Sequence, residues 1–313
     1  MSRVSDRFVL AVLLGPGVFA LSTAVIFVKL SELPVGIVAA IRLLGGALLL
    51  WPLMAIERRR RPDVTLGQLI WPTVVPGVLL GAHFISWFVG VRATTAANAT
   101  LIVNLSPVIM PFALLALVGE RVTRREMIGS ALSIAGVIVL AAGSAKLTRE
   151  GLIGDLVCLG SMVLAVLYLT LARRNGAARN GIGSYLVPLY LVACVATAGY
   201  AVIAGEVETV MDSTFNWPRE ALFLALMALL PTAFGHGLLN YAMTRVRGQI
   251  VALGGLGQIV WATLLAIPLL DEFPQLSFYP ASALIAAGAV IAIYKPRKTK
   301  ECKAPSSPQT VAS

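Results

Sequence analysis
The chain has 313 residues, 58% hydrophobic and 13% charged, with a mean hydropathy of +0.86 and a formal net charge of +10. An ordinary soluble domain carries about twice that charged fraction, so composition excludes one and leaves a polytopic membrane protein. The basic residues fall between apolar runs rather than on one polar surface, which excludes a nucleic-acid partner and leaves membrane lipids as the surroundings.

Ten apolar segments are predicted as helices, each near the roughly 20 residues that cross a bilayer core. They cover residues 7–29, 34–55, 67–91, 96–118, 125–142, 150–172, 184–204, 219–243, 248–270 and 277–295. The first follows Arg3 and Arg7, and its apolar run to Val28 is too long for a signal peptide and lacks a small-residue cleavage site, so it is expected to be retained. Cys158 and Cys194 fall within predicted spans and Cys302 in a polar tail, a pattern that fits neither a disulfide framework nor a CxxC metal site. Trp51, Trp71 and Trp217 stand near span ends, where indole rings anchor at the interface. The longest outer connection, Gly205 to Pro218, carries Glu206, Glu208 and Asp212, and residues 299–313 have the polar composition of a disordered cytoplasmic tail.

Alternate connections differ sharply in charge. Arg3 and Arg7, Arg58 to Arg61, Arg121 with Arg124 and Arg125, Arg173 with Arg174 and Arg179, Arg245 with Arg247, and the run from Lys295 to Lys303 share one side. Lys29, Arg92, Lys146, Arg149 and Arg219 lie on the other, so the positive-inside rule predicts cytoplasmic amino and carboxyl ends.

The sequence also repeats. Gly119-Glu120 returns as Asp271-Glu272, and Ala135-Gly136 as Ala287-Gly288, 152 positions later. The expected fold is an all-α integral membrane protein of ten transmembrane helices, built as two five-helix halves, residues 1–145 and 146–298. Five crossings are an odd number, so the second half enters from the opposite side and the repeats are inverted, as in secondary transporters.

Polar residues in mid-span are costly beside lipid and turn toward partners or a wet cavity. Asn104, Pro107 and Pro111 share a stripe of the fourth helix, and Gln258 and Trp261 stand three apart in the ninth beside Gly254, Gly255 and Gly257. They fit a substrate site of amides and an aromatic wall, and equally fit interhelical hydrogen bonding with small-residue packing. The two histidines, His83 and His236, fall at nearly equivalent positions of the halves, with Trp87 and Asn240 four residues further on the same faces. No Cys or carboxylate stands at ligand spacing with either, so no metal is expected. Arg42 is expected to snorkel to the outer interface, with attraction of a substrate carboxylate as the alternative. The glycine cluster of the ninth helix has no preceding strand and no following Gly-Lys-Ser/Thr, so no nucleotide cofactor is implied. Ser161 and Ser184 lack a nucleophile motif, which counts against an intramembrane hydrolase. The only candidate carboxylate in the ten spans is Asp155, close to the outer end of the sixth helix, which predicts movement without obligatory ion coupling.

The Asn104-Leu105-Ser106-Pro107 turn, the Gly119-Glu120-Arg121 ending of the fourth helix, and Gly129 and Gly136 in the fifth resemble the EamA-type branch of the drug/metabolite transporter superfamily. The resemblance spans about residues 7 to 295 and departs in the second half, where Ile259 replaces the proline. It implies a bacterial inner-membrane exporter of amino acids, including aromatic ones, or of similar small metabolites, and not an enzyme. In such proteins helices one, three, four, six, eight and nine line a central cavity, with five and ten supporting it. Proton-coupled efflux of drugs or toxic compounds is the competing reading.

Overall fold
The computed structural model describes residues 6–143, 149–175, 180–274 and 276–293, and no strand occurs among them. The chain forms long helices α1 (Val9–Leu30), α2 (Val35–Arg60), α3 (Leu66–Ala93) and α4 (Ala96–Val118), then α5 (Arg124–Gly143) and α6 (Arg149–Arg174). These are followed by α7 (Ile182–Ile203), α8 (Trp217–Arg245), α9 (Gly248–Leu270) and α10 (Phe278–Ile293). The Gly205 to Pro218 connection contains a short helix, Glu206–Asp212. Among the described residues eight helices, α1 to α4 and α6 to α9, are long and apolar enough to cross a membrane. The other two of the ten expected spans are α5, which opens on Arg124, Arg125 and Glu126, and α10, a shorter apolar helix of 16 described residues. The division at residue 145, Cys302 and the tail at 299–313 lie outside the described residues.

The outer surface is apolar, with Trp71, Phe112, Val195 and Ile203 all exposed, as a hydrocarbon solvent allows. Inside, α2 packs along α7, α3 along α6 and α7, and α1 against α8 and α9. One hydrophobic cluster joins these helices. A second cluster, including Leu101, Val137, Leu253, Ile259 and Ile285, fastens the α5/α10 pair to α4 and α9.

The α5/α10 crossing is close because it is made of small residues. A Cβ on Gly136 would stand 2.7 Å from the Ala281 carbonyl oxygen, and one on Gly129 2.5 Å from that of Gly288. Between these contacts Ser133 Oγ donates to the Ile285 carbonyl oxygen at 3.3 Å, and the two residues are 152 apart.

The two interrupted helices break for different chemical reasons at corresponding places. In α4 the ladder is interrupted at Asn104 and Leu105, because Pro107 has no N–H to return to the preceding turn. In α9 the interruption is at Leu256, where Gly254, Gly255 and Gly257 weaken the helix and the Ile259 N–H bonds three residues back, to the Leu256 oxygen at 3.1 Å. Both helices also end alike. Gly119 (φ +74°) and Asp271 (φ +56°) adopt left-handed conformations, and the following Glu120 and Glu272 amides bond back to the Leu114 and Ala266 carbonyls.

Candidate functional site
A cavity of about 80 Å³ lies where the broken α4 and α9 meet α1, α3, α6 and α8. At roughly 10–15 Å³ per water position, this is room for a handful of waters. Its wall takes Leu21 and Ala24 from α1, His83, Phe84 and Trp87 from α3, and Asn104, Ser106 and Met110 from α4. Tyr168 and Leu169 of α6, His236 and Leu239 of α8, and Gly255 and Gln258 of α9 face them, with small and aliphatic residues of α4, α6 and α9 between. The six helices are those the family resemblance assigns to a cavity, and among the described residues none of the wall comes from α5 or α10.

Five residues singled out from the sequence therefore come together: Trp87, His83, Asn104, His236 and Gln258. The breaks place two of them. Gln258 Nε2 donates to Asn104 Oδ1 at 3.2 Å, and Asn104 Nδ2 caps its own helix through the Thr100 carbonyl at 2.8 Å. Ser22 Oγ of α1 donates to the Gln258 carbonyl oxygen at 3.3 Å. The Trp87 indole N–H is buried without a hydrogen-bond partner among the described residues, which leaves a donor at the wall.

The histidines are neighbours, with ring centroids 6.5 Å apart. His83 Nδ1 bonds the Ser161 carbonyl oxygen at 3.0 Å and lies 2.7 Å from Ser161 Oγ, whose own proton goes to the His83 carbonyl oxygen at 2.9 Å. Nδ1 is thus the protonated nitrogen, because a carbonyl oxygen can only accept. Ser161 is buried, is absent from the cavity wall and has its hydroxyl proton engaged, so it clamps α3 to α6 rather than presenting a nucleophile. His236 sits at the end of the widened, π-helical turns of α8 around Pro231, with its Nδ1 3.1 Å from the Tyr168 hydroxyl.

Two of the expected residues lie elsewhere. Trp261 is 40% exposed on the outside of the bundle, packed edge-on to Phe19 with centroids 5.4 Å apart. Three residues advance a helix by about 300°, so a side chain beside Gln258 in sequence is turned some 60° away from it. Asn240 is buried one turn past His236, donates Nδ2 to the His236 carbonyl oxygen at 2.8 Å and is not part of the wall. Phe84 and Tyr168 were missed. A tyrosine in mid-span was a usable polar signal, whereas one phenylalanine among many apolar residues was not.

Arg42 corrects an expectation. It is 0% exposed and does not reach an interface: Nε donates to Thr232 Oγ1 at 2.8 Å, and Cζ lies 4.3 Å from the Phe84 ring centroid. Carboxylates were also undercounted, since Glu126 and Glu220 fall within predicted spans and both are buried. They serve the ends of the bundle. Glu220 accepts from Ser31 Oγ at 2.6 Å, and Glu126 pairs with Arg247, whose guanidinium this hydrogen bond holds above its usual pKa.

Those ends are tied in matching fashion. At one, Glu272 takes Lys29 Nζ at 2.9 Å and the Ala96 amide, the first of α4, at 3.0 Å. At the other, Glu120 takes Arg173 Nη2 at 2.6 Å and the Gly248 amide, the first of α9, at 3.2 Å. Each carboxylate thus ends one broken helix and caps the start of the other, where the helix dipole favours negative charge. Arg92 adds bonds to the Ser31 and Leu33 carbonyls at the first end, and Arg173 to those of Met243 and Val246 at the second.

Residues 7–142 match the family described as "EamA-like transporter family". No curated protein matches the chain. A crystal structure of a protein 23% identical to this chain superposes with a TM-score of 0.67, covering 93% of this chain and 98% of its own, which shows a shared fold.

Proposed function
We propose that the chain is a transporter of the drug/metabolite superfamily that exports amino acids or similar small metabolites by alternating access. In this reading residues 1–145 and 146–298 are inverted five-helix halves in a bacterial inner membrane, with both ends of the chain cytoplasmic. The observation that carries the reading is the cavity at the meeting of the two broken helices, with a carboxylate clamp at each end of the bundle. Alternate release of such clamps would open the cavity to one side and then the other. The EamA-like match of the first half supports the class, and the distribution of basic residues supports an orientation with Glu120 at the cytoplasmic end and Glu272 at the outer end. A cysteine introduced at the exposed Thr209 is then expected to react with an impermeant thiol reagent in intact cells; labelling only after the cells are opened would reverse the orientation.

No carboxylate lines the cavity among the described residues, which favours movement down the substrate's own gradient. In proteoliposomes, a labelled amino acid should exchange saturably against unlabelled substrate, and a proton or sodium gradient imposed at equal substrate concentrations should give no net flux. Absence of exchange with any amino acid would sink the amino-acid assignment. The second reading, proton-coupled efflux, draws on the adjacent His83 and His236, two imidazoles at the cavity wall able to take up and pass on a proton. Uphill accumulation driven by a proton gradient and abolished by His83→Ala or His236→Ala would establish it.

A further inference from the structure
The most unusual group in the molecule is Arg42. It is fully buried, and no carboxylate pairs with it among the described residues, whose ion pairs all lie at the ends of the bundle. Its single hydrogen bond goes from Nε to Thr232, whose hydroxyl is itself committed to the Met227 carbonyl at 2.7 Å. Nη1 and Nη2, the open end of the guanidinium fork, have no hydrogen-bond partner among the described residues. The cation rests instead on aromatic rings, 4.3 Å from the Phe84 centroid and 5.4 Å from that of Phe88. Such contacts hold a desolvated cation, yet they leave its hydrogen-bonding capacity unused, and an uncompensated buried charge is strongly destabilising.

One aromatic layer separates this fork from the cavity. Phe84 carries Arg42 and also lines the cavity, where it meets His236 edge-on with centroids 5.0 Å apart. Tyr168, also in the wall, lies within the electrostatic reach of the guanidinium, as do His83 and His236. Rotation of Phe84 would enlarge a cavity now too small for an aryl substrate and would uncover both free nitrogens in the same motion. Nothing comparable awaits a positive group, because the wall among the described residues offers only neutral acceptors.

Resting on the transport reading above, we infer that Arg42 is the anion-recognising group of the central cavity: the transported molecule is a monocarboxylate, and an α-amino group is not a required part of it. A planar fork with two free donors matches one carboxylate bidentately.

Three probes of one shape test this on the purified full chain: phenylalanine, 3-phenylpropionate without the amine, and phenethylamine without the carboxylate. Calorimetry should show the two carboxylates binding within about tenfold of each other and phenethylamine at least about tenfold more weakly. Arg42→Met should lose both carboxylates while unfolding at the same or a higher temperature, because it removes an unpaired buried charge; Arg42→Lys should bind with intermediate affinity. A merely structural arginine would instead lower the unfolding temperature in Arg42→Met. Phenethylamine binding as tightly as 3-phenylpropionate, no binding of either carboxylate to the wild type, or full carboxylate binding by Arg42→Met would each overturn the inference. The wild-type comparison needs no variant to fold. Selective carboxylate binding without flux in vesicles would remove the transport reading while leaving the recognition by Arg42 intact.

Discussion

In the proposed orientation, Glu272→Gln is expected to open the cavity toward the outside and Glu120→Gln toward the cytoplasm, each changing accessibility about ten- to a hundredfold. The magnitude follows from the clamps. A charge-assisted hydrogen bond contributes roughly 1.5–3 kcal/mol, and about 1.4 kcal/mol is a factor of ten in an equilibrium. Each carboxylate holds a cation from one helix and the first amide of another, and Glu120 also lies 3.9 Å from Arg247, so neutralising either weakens at least two contacts at one end and none at the other. Ser106, in the cavity wall, can be replaced by Cys in a background lacking the three native cysteines. Impermeant thiol reagent applied to right-side-out vesicles should label this position faster in Glu272→Gln, and applied to inside-out vesicles faster in Glu120→Gln. Equal acceleration from both sides in either variant would mean that the clamps hold the fold together rather than gate it.

Gly288→Val is expected to cost most of the folded protein. A Cβ at Gly288 would fall inside the van der Waals radii of Ser133 Oγ and the Gly129 carbonyl oxygen, and the second of these is backbone that cannot rotate away. The α5/α10 pair would have to separate, losing the Ser133 to Ile285 bond and contacts of the cluster that fastens it to α4 and α9. Overpacking of this kind costs roughly 1–3 kcal/mol for the smallest additions, so Gly288→Ala should lower the unfolding temperature by several degrees and Gly288→Val should leave little protein in monodisperse form. Gly199→Ala is the control, because nothing lies within 4 Å of its added methyl group, and it should match or exceed the wild type. Unchanged melting in Gly288→Val would show that the crossing is looser than its geometry implies.

The parts of the molecule that were legible in the sequence are those set by the chain's own neighbours. Apolar length located the helices, Pro107 marked the break in α4, and Glu120 with Glu272 marked equivalent ends. The break at Leu256 was hidden, because Ile259 replaces the proline and only clustered glycines remained as a signal. What depends on a second helix was also hidden. Spacing put Trp261 near Gln258 but could not say where the face of α9 turns from cavity to lipid, and depth alone could not reveal that Arg42 meets Phe84 and Thr232. Asn240 shares a face with His236, yet its Nδ2 is taken by backbone and it stays out of the cavity wall.

The contact between Ser133 and Ile285 has a mechanical consequence. In the proposed inverted arrangement these residues are each other's counterparts, and a point that touches its own image lies on the rotation axis relating the halves. Displacement is smallest at a fulcrum and grows with distance from it. The tight α5/α10 crossing can therefore stay welded through a transport cycle while the two clamped ends, far out on the lever, make and break their bonds.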